Sequence, residues 1–204
     1  MDKIFTKNIE HESAVKHVTG KAIYTDDISE PKNLLHAVIG YSNCSKGVIK
    51  KIDYKDVLSS EGVVDIITEK DIEGINDVGP IFKGDKIFTS KNIEYYGQPI
   101  FAVIAKTNNL AKKAALKVKI DLKISKPIVS IEEALKKKSF VLKSKYLTRG
   151  NIKDGFKRSD NFLKGKLYSG GQDHFYLEGQ IAMTIPQEDN NFLVYSSTQH
   201  PSET

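Results

Sequence analysis

The sequence has 204 residues, 39% of them hydrophobic with 9 Phe and 9 Tyr, enough for one large or two small domains with a respectable core. The 31 Lys and Arg outnumber the 26 Asp and Glu for a net charge of +5, but the lysines are interleaved with acids and the only arginines are Arg149 and Arg158, which argues against bidentate reading of bases or phosphates. No run approaches the roughly 18 apolar residues of a membrane span, and Met1-Asp2-Lys3-Ile4-Phe5 lacks the long apolar stretch of a signal peptide. A cytoplasmic chain with no nucleic-acid partner and no membrane partner is therefore expected. Cys44 is the one cysteine, so there is no internal disulfide framework, and by itself it holds neither an iron–sulfur cluster nor a structural zinc. Set in the polar segment Ser42-Asn43-Cys44-Ser45-Lys46, it reads as incidental rather than nucleophilic.

Residues 1–19 are polar without a sustained period and read as a lead-in arm. From Gly20 the pattern becomes α/β. The β-branched and apolar runs 34–41 and 47–53 predict strands, 54–60 a short helix and 62–67 another strand, after which Thr68 is placed to cap a short turn over 69–72. Gly74, Gly79-Pro80 and Gly84-Asp85 make 73–91 mostly loop. The almost continuous apolar run 99–105 predicts a strand buried on both faces, opened by a proline that fixes its geometry. Either Thr107 or Asn108 caps the following helix, in which Leu110, Ala111, Ala114, Ala115 and Val118 recur at three- and four-residue spacing, and 119–124 returns as a strand. Residues 20–125 thus form a compact α/β module.

A connector follows over 126–150, with Pro127 and a lysine-ended helix at 131–138 whose Lys136-Lys137-Lys138 complements the helix dipole. Residues 151–204 predict three strands, 162–168, 179–185 and 192–196, the last two joined by a hairpin turn over 186–191. So small an antiparallel piece is marginal alone and calls for another chain, or for a continuation of this one, to cover its apolar face.

Within that piece lies the most informative stretch, Ser169-Gly170-Gly171-Gln172-Asp173-His174-Phe175-Tyr176-Leu177-Glu178-Gly179-Gln180. Glycines without Cβ permit unusual φ and let a ligand approach closely. Gln172 adds two N–H donors and an acceptor without charge, which suits an oxo group on a metal or a pterin heteroatom. By spacing alone the same triplet is also a plain β-turn or bulge with a solvated glutamine. His174 and His200 lack a cluster of partners at metal-ligand spacing, His36 in its apolar strand is packed or surface-facing, and His11 and His17 fall in the arm. Asp173 and Glu178, five apart, point to opposite faces if the segment is extended, so a carboxylate pair for acid–base catalysis gives way to a structural hydrogen bond or salt bridge at Glu178. Asp26 and Asp27 read as turn caps.

Residues 169–180 together with Tyr195-Ser196-Ser197-Thr198-Gln199-His200-Pro201-Ser202-Glu203 resemble the start of the molybdenum-binding region in the large subunit of the xanthine dehydrogenase and aldehyde oxidase family. Gly20-Lys21-Ala22-Ile23-Tyr24-Thr25-Asp26-Asp27-Ile28 is similar to its opening motif, and Tyr95-Tyr96-Gly97-Gln98-Pro99 with the apolar run to Ala105 is similar to its Gly-Gln-Pro segment. Gly150-Asn151-Ile152 through Phe156, with Asp160, matches the linker before the Gly-Gly-Gln word, so the resemblance runs from about residue 12 to the last residue in the family's order.

The resemblance implies an α+β fold: a hammerhead-like α/β domain over 20–125, then the first strands of an incomplete molybdopterin-binding domain. It implies molybdenum–molybdopterin as cofactor, and hydroxylation of an electron-poor carbon with oxygen taken from water. Gln172 would donate a hydrogen bond to an oxygen ligand on molybdenum without binding the metal, Gly171 would let the pterin approach, and His174 would pack beside the centre. The family's general-base glutamate and a second glycine-rich segment lie downstream of anything in this sequence, so no catalytic residue is assigned and the chain is not expected to turn over alone. The implied partners are the remaining molybdopterin-binding polypeptide, an iron–sulfur subunit with 2Fe-2S clusters and an FAD subunit. The substrate is a purine or an aldehyde-type small molecule, with residues 79–85 and 198–203 leaning toward purine-type members. The competing expectation is a non-catalytic assembly module derived from that family.

Overall fold

The computed structural model describes residues 10–176 and 178–202; residues 1–9 of the arm, Leu177 of the Gly-Gly-Gln word, and Glu203 and Thr204 lie outside them. In chain order the elements are α1 (Ala14–Val18), β1 (His36–Tyr41), β2 (Gly47–Asp53), α2 (Lys55–Leu58), β3 (Val63–Ile67), β4 (Asn92–Ile93), β5 (Pro99–Ala105), α3 (Asn108–Ala115), β6 (Lys119–Ile124), α4 (Ile131–Lys137), α5 (Ile152–Lys157), β7 (Ala182–Pro186) and β8 (Phe192–Ser196). The fold is α+β. Residues 33–170 form one compact unit, and the described residues of 1–32 and 171–204 form another.

The larger unit is built around β5. This strand lies between β1 and β3, antiparallel to both, with Ala105 opposite His36 on one side and Val63 on the other. Its apolar run is buried on both faces, as its composition predicts, because neighbours occupy both edges and helix α3 covers one face through Ala111 and Ala114. Phe101 is 0% exposed and meets the Tyr54 ring edge-on, with centroids 5.2 Å apart. Burial, and secondarily the charge of Asp71, push the Tyr54 phenol up to about 12. Gly40 faces Phe101 across the ladder, and a Cβ there would fall inside the aromatic ring.

The strand–helix–strand run β5–α3–β6 does not close into a parallel pair. Both edges of β5 are taken, so β6 leaves for a second antiparallel sheet of order β4-β2-β6. Thr107, rather than Asn108, caps α3: its Oγ1 accepts the Leu110 amide at 3.2 Å. Thr68 caps the 3₁₀ turn Glu69–Asp71 as its position predicts, accepting from Lys70 N at 3.3 Å while the Asp71 carboxylate receives Thr68 N and Oγ1. Those two bonds hold the Asp71 carboxyl below the usual range.

Buried polar groups tie β1 to the start of β5. Ser42 is 3% and Gln98 5% exposed. The Ser42 hydroxyl accepts Gln98 N at 3.1 Å and donates to Tyr95 O at 3.0 Å, Gly97 N donates to Ser42 O, and Gln98 Oε1 accepts Glu94 N at 2.8 Å. The Gly-Gln-Pro segment is therefore structural here: Gly97 supplies φ +81°, Gln98 closes the turn, and Pro99 opens the strand opposite Tyr41 at a bulge. The loop before it is ordered by Asn76, whose side chain brackets the Phe88 backbone, and by Asp77, which accepts Gly79 N and Gly84 N at 2.8 and 2.6 Å. These bonds hold the Asp77 carboxyl below its usual range.

Past β6 the connector helix α4 is capped by Ser130 and ends at Lys138 in the left-handed region, with Lys137 and Glu133 paired at 2.7 Å. Helix α5, capped by Asn151, was not foreseen from its glycine-containing sequence. The strand expected over 162–168 is absent: the segment carries no regular structure, and Leu163 and Leu167 stand 103% and 92% exposed. It has the alternation of a strand but no neighbouring strand among the described residues. The expected hairpin is present as β7–β8, with Ala182 opposite Ser196 and a turn in which Asp189 and Asn190 take positive φ, as short polar side chains tolerate. β7 starts at Ala182 rather than 179. The arm holds the five-residue helix α1, which its polarity did not suggest.

Truncating Phe101→Ala should cost about 3–5 kcal/mol in urea unfolding, and Gly40→Ala should also destabilise through the clash with that ring. The double variant should lose less than the sum of the two, because removing the ring makes room for the new methyl.

Candidate functional site

The Gly-Gly-Gln word has no regular secondary structure. A Cβ at Gly170 or Gly171 would meet nothing within 4 Å, so these glycines leave open space beside the backbone rather than relieving a close contact within the chain. Gln172 is exposed, and among the described residues its amide has no hydrogen-bond partner. Directly after it the chain turns: Asp173 Oδ1 accepts Phe175 N at 3.2 Å and Phe175 adopts φ +50°.

Beyond this turn an open groove of about 930 Å³ is lined by His174, Tyr176, Glu178 and residues 180–182 together with 196–199. One wall carries His174, Tyr176, Glu178 and Gln180, the other Ser196, Ser197, Thr198 and Gln199. The two stretches singled out in the sequence are thus brought together, although Gly171 and Gln172 themselves lie outside the lining. Most of the polar lining is uncharged, and Glu178 is its one carboxylate. A hydrogen bond joins Tyr176 Oη to Gln180 Nε2, and Thr198 Oγ1 accepts His200 N at 3.0 Å.

Glu178 is half-buried, and its Oε1 accepts Thr25 N at 3.5 Å, across 153 positions of sequence. Thr25 opens a 3₁₀ turn over Thr25–Asp27, where the first amides have no partner within the turn, and Asp27 Oδ2 accepts Tyr24 N at 3.0 Å. The structural hydrogen bond expected of Glu178 therefore exists, Asp27 is the expected turn cap, and the segment around 20–28 meets the groove wall. Asp173 and Glu178 form no carboxylate pair, since one closes a local turn and the other holds Thr25. Among the described residues no group of three or more His, Cys, Asp and Glu could hold a metal ion, and no helix is long and apolar enough to cross a membrane. Cys44 is buried in the other unit. Sequence reading missed Thr25 as an anchor, because nothing local marks a backbone amide whose acceptor is so distant.

The family model described as the a/b hammerhead domain of aldehyde oxidase and xanthine dehydrogenase matches residues 19–126, and that described as a molybdopterin cofactor-binding domain matches residues 133–204. A xanthine dehydrogenase of Dictyostelium discoideum is 37% identical over 98% of this chain and 14% of its own length, and aldehyde oxidase 2 of Mus musculus is 39% identical over 95% of this chain and 14% of its own. The chain thus spans about a seventh of these relatives. The structure of an aldehyde oxidoreductase from Desulfovibrio gigas superposes with a TM-score of 0.74 at 26% identity, covering 90% of this chain and 22% of that one.

Glu178→Ala should speed amide exchange at Thr25 about two- to fivefold, the equivalent of ~0.5–1 kcal/mol for one half-exposed hydrogen bond. Residue-resolved hydrogen exchange checks this, with Glu178→Gln, which keeps an acceptor, changing it less.

Proposed function

The chain belongs to the aldehyde oxidase and xanthine dehydrogenase family, and from that premise we propose that it forms one wall of the molybdopterin site of a molybdenum-dependent hydroxylase. What supports this reading is the open, mostly uncharged groove formed by two family motifs within the segment that matches the molybdopterin cofactor-binding domain. Residues 20–125 act as the hammerhead-like module and 151–204 as the start of the cofactor-binding domain, joined through 126–150.

The donor set fits such a group. A pterin presents ring nitrogens and a carbonyl along one edge, which neutral amides and hydroxyls match without adding charge. Gln172, exposed and without a partner among the described residues, has both N–H donors available for an oxygen ligand on molybdenum, and Gly171 leaves room for the pterin to approach. His174 lines the groove wall, where it would pack beside the centre. Bound there, the molybdenum–pterin group supplies Lewis-acid and redox chemistry for a hydroxylation whose oxygen derives from water. This chain's residues orient and tune that group, and the general-base glutamate comes from the remaining molybdopterin-binding polypeptide. With one buried cysteine these residues could not ligate an iron–sulfur cluster, so the 2Fe-2S clusters that would take up the electrons, and with them the FAD, would sit on other subunits. The substrate reading is a purine-type heterocycle, resting on the resemblance of residues 79–85 and 198–203 to purine-type members.

In the complex of this chain with its remaining polypeptide, Gln172→Ala should lower hydroxylation of hypoxanthine or xanthine about 10–100-fold. Preferential turnover of an aldehyde would move the substrate class but keep the site. A metal-free complex indifferent to the substitution would favour the assembly module.

A further inference from the structure

We propose that Ser197 is the positioning residue of the cofactor groove, its hydroxyl standing in for a backbone carbonyl at the rung where the two walls begin. The inference rests on the cofactor reading above.

In the β7–β8 ladder residues pair so that their numbers follow Ala182 opposite Ser196 and Met183 opposite Tyr195. The next rung would set Ile181 opposite Ser197. Half of that rung is regular: Ser197 N donates to Ile181 O at 3.1 Å. The other half is not, because the Ile181 amide donates to Ser197 Oγ at 2.9 Å in place of the Ser197 carbonyl, and the same hydroxyl donates back to Ile181 O at 3.1 Å. A regular antiparallel pair would exchange two backbone bonds at this point. Here the side chain takes over one of them, so the ladder ends while the walls stay tied. The rung itself, with Ala182 and Ser196 next to it, belongs to the groove lining, and beyond it the lining continues with His174, Tyr176, Glu178 and Gln180 on one side and Thr198 and Gln199 on the other.

The substitution needs a group that accepts and donates from one atom, which a hydroxyl does and a methyl does not. Because the one proton of Ser197 Oγ and one of its two acceptor sites are used on Ile181, the hydroxyl has no donor left for a ligand and acts through the walls it holds. This explains why β7 starts later than its apolar alternation suggests: Ile181 is bonded to the opposite strand, but partly through a side chain.

The test uses the full chain in complex with its remaining polypeptide. Ser197→Ala should raise exchange of the Ile181 amide about fivefold, the loss of one ordinary hydrogen bond, and lower the molybdopterin bound per complex. Ser197→Thr, which keeps the hydroxyl, should restore both. Unchanged Ile181 exchange in the alanine variant, full pterin content despite faster exchange, or failure of threonine to rescue would each overturn the proposal. A wild-type complex without pterin would overturn the cofactor reading instead, and the Ile181 exchange would still decide whether Ser197 ties the walls.

Discussion

A backbone amide taken out of water needs an acceptor, and the whole architecture follows from where this chain finds one. β5 finds acceptors along both edges, which lets its apolar side chains be buried on both faces and makes it the axis of the larger unit. β7 and β8 pair only with each other among the described residues, and residues 162–168 pair with none. The same accounting locates the site. The Ile181 amide borrows a serine hydroxyl where the β7–β8 ladder ends, the Thr25 amide at the start of a 3₁₀ turn borrows a glutamate, and Ser197 and Glu178, the two side chains that accept them, both line the groove.

Much of the larger unit was legible in the sequence because its signals are local. The apolar run at 99–105, the Thr107 and Thr68 caps and the glycine-rich loop each carry their own cause within a few residues. What was not legible depends on competition between distant segments. Alternation in 162–168 marks a strand only if a neighbour exists to pair with it, so the pattern alone mispredicts. Nor does any local cue say that β6 must change sheets; that follows from β1 and β3 filling both edges of β5. The candidate site divides in the same way: the two family words announced themselves, while the Thr25–Glu178 and Ser197–Ile181 contacts appear only once the chain is folded.

On the proposed cofactor reading, the chemical logic of the groove is one of neutrality. A redox centre passing between charge states is sensitive to nearby full charges, whereas amides and hydroxyls donate or accept without shifting its field as strongly. The lining is largely of that kind, and its one carboxylate is turned to a structural duty at Thr25. Gln172 fits the same scheme from its open position two residues before His174.

Molybdenum and pterin analysis of the purified assembly that contains this chain tests the account most directly. One molybdenum and one pterin per complex, with the pterin in contact with residues 171–199 in a determined structure, is the predicted result. A complex that assembles without either, or holds the pterin away from those residues, would contradict it.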